Sequence, residues 1–177
     1  NLTAVRRQEE MVTHHLLDSL AVLPAMQKLC GAVSRGTVPA GRRQSLVDVG
    51  SGAGLPGLVL AIADPALTVA SIEASQKKAT FQQQAKIDLG LSNVSIHCAR
   101  AEAVTECFDM AISRAFASLA DFVRYAGHLA RRLLAMKGVY PAAEIAALPP
   151  GWRLVDSYEL AVPGLEAHRH LLVLEKS

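Results

Sequence analysis

The stretch Ser45-Leu46-Val47-Asp48-Val49-Gly50-Ser51-Gly52-Ala53-Gly54-Leu55-Pro56-Gly57 constrains the fold more than any other part of the chain. Leu46, Val47 and Val49 form a short apolar run of the kind a strand buried on both faces needs. The glycines that follow let the backbone turn sharply with positive φ. Pro56 suits the first turn of a succeeding helix, where no amide hydrogen is required. Strand, glycine loop and helix are therefore predicted in that order. Such a loop presents backbone N–H groups and a helix N-terminus at the edge of a sheet, where a nucleotide-like ligand can sit close to the main chain. The alternative is a glycine-rich turn that holds nothing.

At 177 residues and 51% hydrophobic content, the chain is long enough for one domain with a well-covered core. No apolar run approaches the roughly 20 residues that span a bilayer, and the start shows no secretory pattern, so a soluble cytoplasmic protein is expected, with no membrane partner. Cys30, Cys98 and Cys107 are odd in number and contain no Cys-x-x-Cys pair, which argues against a disulfide framework or a zinc site. Net charge is +2, but residues 1–45 alone carry +3. A basic surplus of this size favours a polyanion such as RNA only weakly, since an ordinary solvated face looks the same.

Asn1 is not a start methionine, and residues upstream of it are expected. From Glu9 the positions Met11, Val12, Leu16, Leu17, Leu20 and Leu23 recur at helical spacing. They predict an amphipathic helix packed on the core, ending near Pro24 or continuing after a kink. His14, His15 and Asp18 fall within one turn of each other. His14 and Asp18 can pair at i, i+4, and without a third ligand nearby no metal site is expected. Gly31 to Gln44 reads as a linker loop, giving an N-terminal helical segment over 1–44 and a core domain over 45–177.

Further along, strands are expected at Leu67 to Ile72, Val94 to His97, Phe108 to Ser113 and Leu133 to Tyr140. Helices are expected through Leu58 to Ala63, Ser75 to Leu89, Leu119 to Leu129 and Ala142 to Leu148. Trp152 to Ala161 and His168 to Glu175 flank Pro163-Gly164 as an antiparallel pair. Strands alternating with helices imply an α/β fold, a mostly parallel seven-stranded sheet with flanking helices and an antiparallel edge pair, plus the N-terminal helix.

Three features then meet at the strand C-termini: the glycine loop, Glu73 after the second strand, and Ala101-Glu102 after the third. Glu73 lies 23 residues beyond Gly50, near the spacing at which a carboxylate reaches a ribose diol; the alternative is a solvated loop acid. A nicotinamide dinucleotide and S-adenosylmethionine both suit such a site. Read from directly after the strand, the loop is Gly-Ser-Gly-Ala-Gly-Leu, with Leu55 where a dinucleotide fingerprint has its third glycine. Asp48 would repel a pyrophosphate but can accept hydrogen bonds from the ammonium group of a methionine moiety. Both favour S-adenosylmethionine, held by Asp48, Gly50, Gly52, Gly54 and Glu73.

Four segments carry a more specific likeness: Asn1-Leu2-Thr3-Ala4-Val5-Arg6, His15-Leu16-Leu17-Asp18-Ser19-Leu20, Asp48 to Gly57, and Ile112-Ser113-Arg114-Ala115-Phe116-Ala117-Ser118-Leu119. In these the chain resembles the RsmG family, also called glucose-inhibited division protein B, the bacterial small-subunit rRNA methyltransferases. The resemblance implies a class I, Rossmann-like methyltransferase acting on N7 of guanine 527 in the 530 loop of 16S rRNA. It further implies cofactor contacts at Gly50, Leu55, Ala101, Glu102 and Arg114. The expected partner is 16S rRNA, whether free, in an assembly intermediate or in the small ribosomal subunit, with the enzyme acting as a monomer.

The residues agree with a ring-nitrogen acceptor. Guanine N7 has an exposed lone pair and no proton to lose, so alignment matters more than a general base. The Asn/Asp-Pro-Pro-Tyr/Phe signature of exocyclic amine methylases is replaced here by Ser113-Arg114-Ala115-Phe116, and no cysteine has the Pro-Cys setting of a pyrimidine C5 nucleophile. Arg114 can hold the cofactor carboxylate, bind an RNA phosphate, or pair with Asp109 or Glu102. Phe116 can stack on guanine or belong to the core. Arg6, Arg7 and Lys137 are candidate phosphate contacts or plain surface charge. Gly52→Asp is expected to abolish S-adenosylmethionine binding in a calorimetric titration, because side chain and charge both enter the loop; retained affinity would remove the loop from the site.

Overall fold

The computed structural model describes residues 7–33, 43–114 and 116–177. Seven strands form one sheet: β1 (Ser45–Val49), β2 (Thr68–Ile72), β3 (Val94–His97), β4 (Met110–Ser113), β5 (Arg132–Lys137), β6 (Trp152–Glu159) and β7 (His170–Lys176), in the order β3-β2-β1-β4-β5-β7-β6. β1 to β5 are parallel, and β7 lies antiparallel between β5 and β6. The chain steps outward from β1 to β2 and β3, then returns to the other side of β1 with β4. The strand order therefore reverses between β1 and β4, and the crevice beyond their C-terminal ends is where ligands bind in open α/β sheets.

Period-two alternation explains why both faces of this sheet are covered. Leu46, Val69, Met110, Leu134 and Leu171 enter one apolar cluster, while their neighbours Val47, Ala70, Ala111, Leu133 and Leu172 enter the other. Two helices cover the first face: α3 (Leu23–Val33), through Val22 just ahead of it, Ala25, Met26 and Leu29, and α4 (Gly57–Ala63), through Leu58, Leu60 and Ala61. α6 (Leu119–Ala126) covers the second with Leu119, Phe122, Val123 and Ala126, and Ile145 of α7 (Ala142–Ala146) packs beside it. α5 (Gln76–Asp88) follows β2 and ends before Gly90, which takes φ +62°. Edge strand β6 is broken by a bulge between Leu154 and Asp156 and carries Arg153, Asp156 and Glu159, features that discourage edge-to-edge pairing.

The N-terminal segment departs from the helical-wheel expectation. α1 (Gln8–Met11) passes into a π-wound stretch, Val12–Leu17, then α2 (Asp18–Leu20), and the chain turns before α3. An i→i+5 stretch adds a residue to the turn and so rotates everything after it relative to an ideal α-helix. Met11, Val12 and Leu16 are consequently exposed, while Asp18 and Ser19 are buried. Packing on the sheet comes from α3 instead, whose Pro24 occupies the first turn where it costs no hydrogen bond. Helix α3 also continues past Gly31 to Val33; residues 34–42 of the expected linker lie outside the described residues, as do 1–6. Among the described residues no helix is long and apolar enough to cross a membrane.

Phe122 is 1% exposed at the centre of the second cluster and stacks on Phe116 at 5.1 Å between ring centroids. Phe122→Ala is expected to destabilise the fold by about 3–5 kcal/mol, seen in urea as a lower midpoint with unchanged slope.

Candidate functional site

Strand register brings the site together. Asp48 pairs with Ser71 of β2 and Ile112 of β4, so Gly50, Glu73 and Arg114, each two residues further on, emerge at one level of the sheet edge. The glycine loop is tied there by Gly50 N–H donating to Ile72 O at 2.9 Å. Gly50 and Gly52 take φ +68° and +62°, and a Cβ on either would meet nothing within 4 Å. Their left-handed backbone thus leaves open space along the loop, as a group approaching the main chain requires. Gly54 and Gly57 serve packing: a Cβ on Gly54 would lie 2.4 Å from Leu58 Cδ1, and one on Gly57 would lie 2.9 Å from Asp48 Cβ and Oδ2. Leu55 is half-buried at the end of the loop, and Pro56, joined to it by a cis peptide bond, occupies the N-cap of α4.

Asp48 is fully buried. Its Oδ2 accepts the Gly57 N–H at 2.8 Å, and its Oδ1 is buried without a partner among the described residues. Burial pushes its carboxyl up to about 7, opposed by the Gly57 hydrogen bond and the positive charge of Arg114 and reinforced by the negative charge of Glu73. An orphaned buried carboxylate oxygen beside an open glycine cradle fits a ligand that brings a cationic donor, which is the chemistry of an amino-acid ammonium group.

Glu73 is 7% exposed and grips two backbones: Oε2 accepts Gly52 N–H and Oε1 accepts Ser75 N–H, both at 2.8 Å. Each oxygen has a second lone pair for a hydroxyl donor. Ser75 stands at the N-cap of α5, but its hydroxyl caps nothing. A residue that motif reading passed over, Gln82 of α5, fastens the loop from below. Its Nε2 donates to Ser51 Oγ and Gly52 O, each at 2.8 Å, and its Oε1 accepts from Ser71 Oγ at 2.5 Å. Gln82, Ser51 and Ser71 are all buried. A polar residue on the inner side of a helix whose other inward positions are small, such as Ala79, was the available signal. Ala101 is buried in a short 3₁₀ turn, Ala101–Ala103, beyond β3, with Glu102 exposed beside it.

Arg114 pairs with an acid that spacing did not suggest. Its Nη1 donates to Asp18 Oδ2 at 3.3 Å and to His14 O at 3.1 Å, rather than to Asp109 or Glu102. Asp18 Oδ1 in turn accepts from Nε of Arg169 at 2.9 Å. The foreseen i, i+4 pairing of His14 with Asp18 is thus replaced, and His14 Nδ1 lies 3.1 Å from Glu10 O. Lys137 pairs with Glu144 at 2.9 Å, Phe116 packs against Phe122 and Tyr125, and Arg7 lies exposed 3.5 Å from Glu10. Arg6 lies outside the described residues. No group of three metal-ligating side chains occurs among the described residues.

Fold and site together define a class I, Rossmann-like methyltransferase. The magnesium protoporphyrin IX methyltransferase of Synechocystis PCC 6803, solved with bound SAM, superimposes with a TM-score of 0.67 at 15% identity, over 99% of this chain and 87% of that one. TrmN from Thermus thermophilus does so with a TM-score of 0.64 at 21% identity, over 98% and 55%. The family model for rRNA small subunit methyltransferase G matches residues 1–172. Among relatives, the ribosomal RNA small subunit methyltransferases G of Aromatoleum aromaticum and of an Azoarcus species are each 52% identical, over 100% and 99% of this chain and 82% and 79% of theirs. The chain belongs to the rRNA small subunit methyltransferase G family.

Asp48 makes stability depend on pH. From about 4, near the carboxyl's ordinary value of 3.8, up to about 7, the folded protein keeps a proton that the unfolded chain has lost. Stability from this group therefore falls as pH rises through that window and levels off above it. Thermal unfolding of the ligand-free protein is expected to show this fall between about pH 4 and 7, and Asp48→Asn is expected to flatten it.

Proposed function

We propose that this chain methylates N7 of guanine 527 in the 530 loop of 16S rRNA, in the small ribosomal subunit or an intermediate of its assembly. Family membership makes it an S-adenosylmethionine-dependent rRNA methyltransferase; base, atom and residue roles are the proposal. When bound, the cofactor supplies an electrophilic methyl group on a sulfonium. Asp48 would accept the cofactor ammonium through its unpaired Oδ1, Glu73 the ribose hydroxyls, and the Gly50 to Leu55 loop would carry the nucleoside and methionine along its open backbone. Ala101 and Glu102, in the turn beyond β3, would complete the cofactor contacts.

The observation that carries the choice of acceptor is the end of β4, where Ser113 leads into Arg114 and Phe116 with no carboxamide–proline–aromatic signature. Neither described thiol is poised as a nucleophile. Cys98 donates to Gln76 Oε1 at 3.2 Å, and Cys107 precedes β4 at the opposite edge of the sheet. A ring nitrogen with its lone pair in the base plane needs neither group, only alignment with the methyl donor.

Small-subunit RNA and assembled subunits incubated with methyl-labelled cofactor are expected to gain one label, mapped to N7 of guanine 527 by chemical cleavage at the modified base. Label at another atom, or in neither substrate, would falsify the assignment.

A further inference from the structure

A cavity of about 320 Å³ opens between the N-terminal helices and the C-terminal ends of β4 and β5. It lies on the Arg114 side of the crevice, across β1 from Glu73. Three cations reach it, Arg114, Lys137 and Arg169, against the lining carboxylate of Asp18 and that of Glu144, which pairs with Lys137 from outside the lining. Their side chains are 24%, 14% and 24% exposed, so these charges are held within a wall rather than waving in solvent. Asp18, 3% exposed, sits between the two guanidiniums and directs both. Arg169 engages Asp18 through Nε and His168 O through Nη1, and a guanidinium has five donors in a fork matched to phosphate oxygens.

The remaining lining discriminates between ligand chemistries. Only Met136 and Leu160 are apolar, and the rings in the described lining are the imidazoles of His14, His15 and His170, so polar and ionic contacts dominate the cavity. His15 adds a second polar clue. Its Nδ1 lies 3.0 Å from His14 O and must donate to that carbonyl, which puts the lone pair of the neutral ring on Nε2. That Nε2 is buried and has no partner among the described residues. Burial holds the ring below its ordinary imidazole value, which keeps Nε2 an acceptor. A ligand that brings an anionic group to the cations and a hydroxyl donor to His15 satisfies the whole lining.

We propose that this cavity is a seat for an RNA nucleotide flanking the methylated base, its phosphate held by Arg169 and Arg114 and its 2′-hydroxyl donating to His15. The proposal rests on the rRNA reading above and assigns a place in the structure to the acceptor strand. Phosphate contacts of this kind fix register and orientation, here of the strand relative to the glycine loop.

The test is the salt dependence of binding between the full chain and a fluorescent rRNA fragment carrying the 530 loop, read without turnover. Arg169→Gln is expected to weaken binding about tenfold and to lower the slope of log affinity against log salt by roughly 0.7–1. Arg169→Lys should recover the slope, and S-adenosylmethionine affinity should stay within about twofold in both. His15→Phe should reduce the preference for RNA over the same strand made with 2′-deoxyribose. An unchanged slope in Arg169→Gln overturns the seat. So does a loss that Arg169→Lys does not restore and that cofactor binding shares, because that outcome marks a purely structural residue. Displacement of the RNA by inorganic phosphate, abolished by Arg169→Gln without any change in RNA slope, would assign the cavity to the free ion. The expected slopes found without methylation of guanine 527 would support the seat and overturn only the choice of acceptor.

Discussion

The cleft is organised about the fully buried carboxylate of Asp48 at the end of β1. A group of this kind is tolerated in an apolar sheet only with compensation, and each compensating group belongs to a different element. The Gly57 amide comes from the first turn of α4, and the positive charge of Arg114 from the end of β4. Glu73 at the end of β2 works in the other direction, raising the carboxyl further. Gly57 must be glycine because Asp48 approaches within the space a Cβ would fill. One buried carboxyl therefore fixes the spacing of helix to strand and leaves one oxygen without a partner among the described residues.

Asp18 is the corresponding centre for the cavity on the other side of β1. It is buried, receives Arg114 through one oxygen and Arg169 through the other, and thereby ties the N-terminal helices to β4 and to the approach of β7. Removing one partner of such a group leaves a buried charge uncompensated, whereas the intact set holds two guanidiniums in one orientation. Arg114 feels both centres, pairing with Asp18 while its charge acts on Asp48. The two halves of the cleft are thus electrostatically linked through one side chain.

Most of the sheet was legible because its signal is local. The apolar run of β1 and the glycines after it describe neighbours within a few residues, and Val94–His97 is a strand where one was expected. The N-terminal segment was less legible: a π-wound turn rotates the apolar stripe, so Met11, Val12 and Leu16 face solvent where an even helical period would have buried them. Gln82 escaped notice because a glutamine on a helix is ordinarily solvated, and only docking of α5 under the loop reveals its use.

Residue order alone was enough to specify a parallel α/β sheet, a strand–glycine loop–helix unit with an acid ahead of it, and the family. Each follows from interactions between near neighbours or from patterns along the chain. Which charges face one another depended on folding in three dimensions. Asp18 meets Arg114 across 96 residues and Arg169 across 151. Coulomb energy and burial depend on separation in space and on access of water, and neither exists until the helices dock and the strands close the cleft.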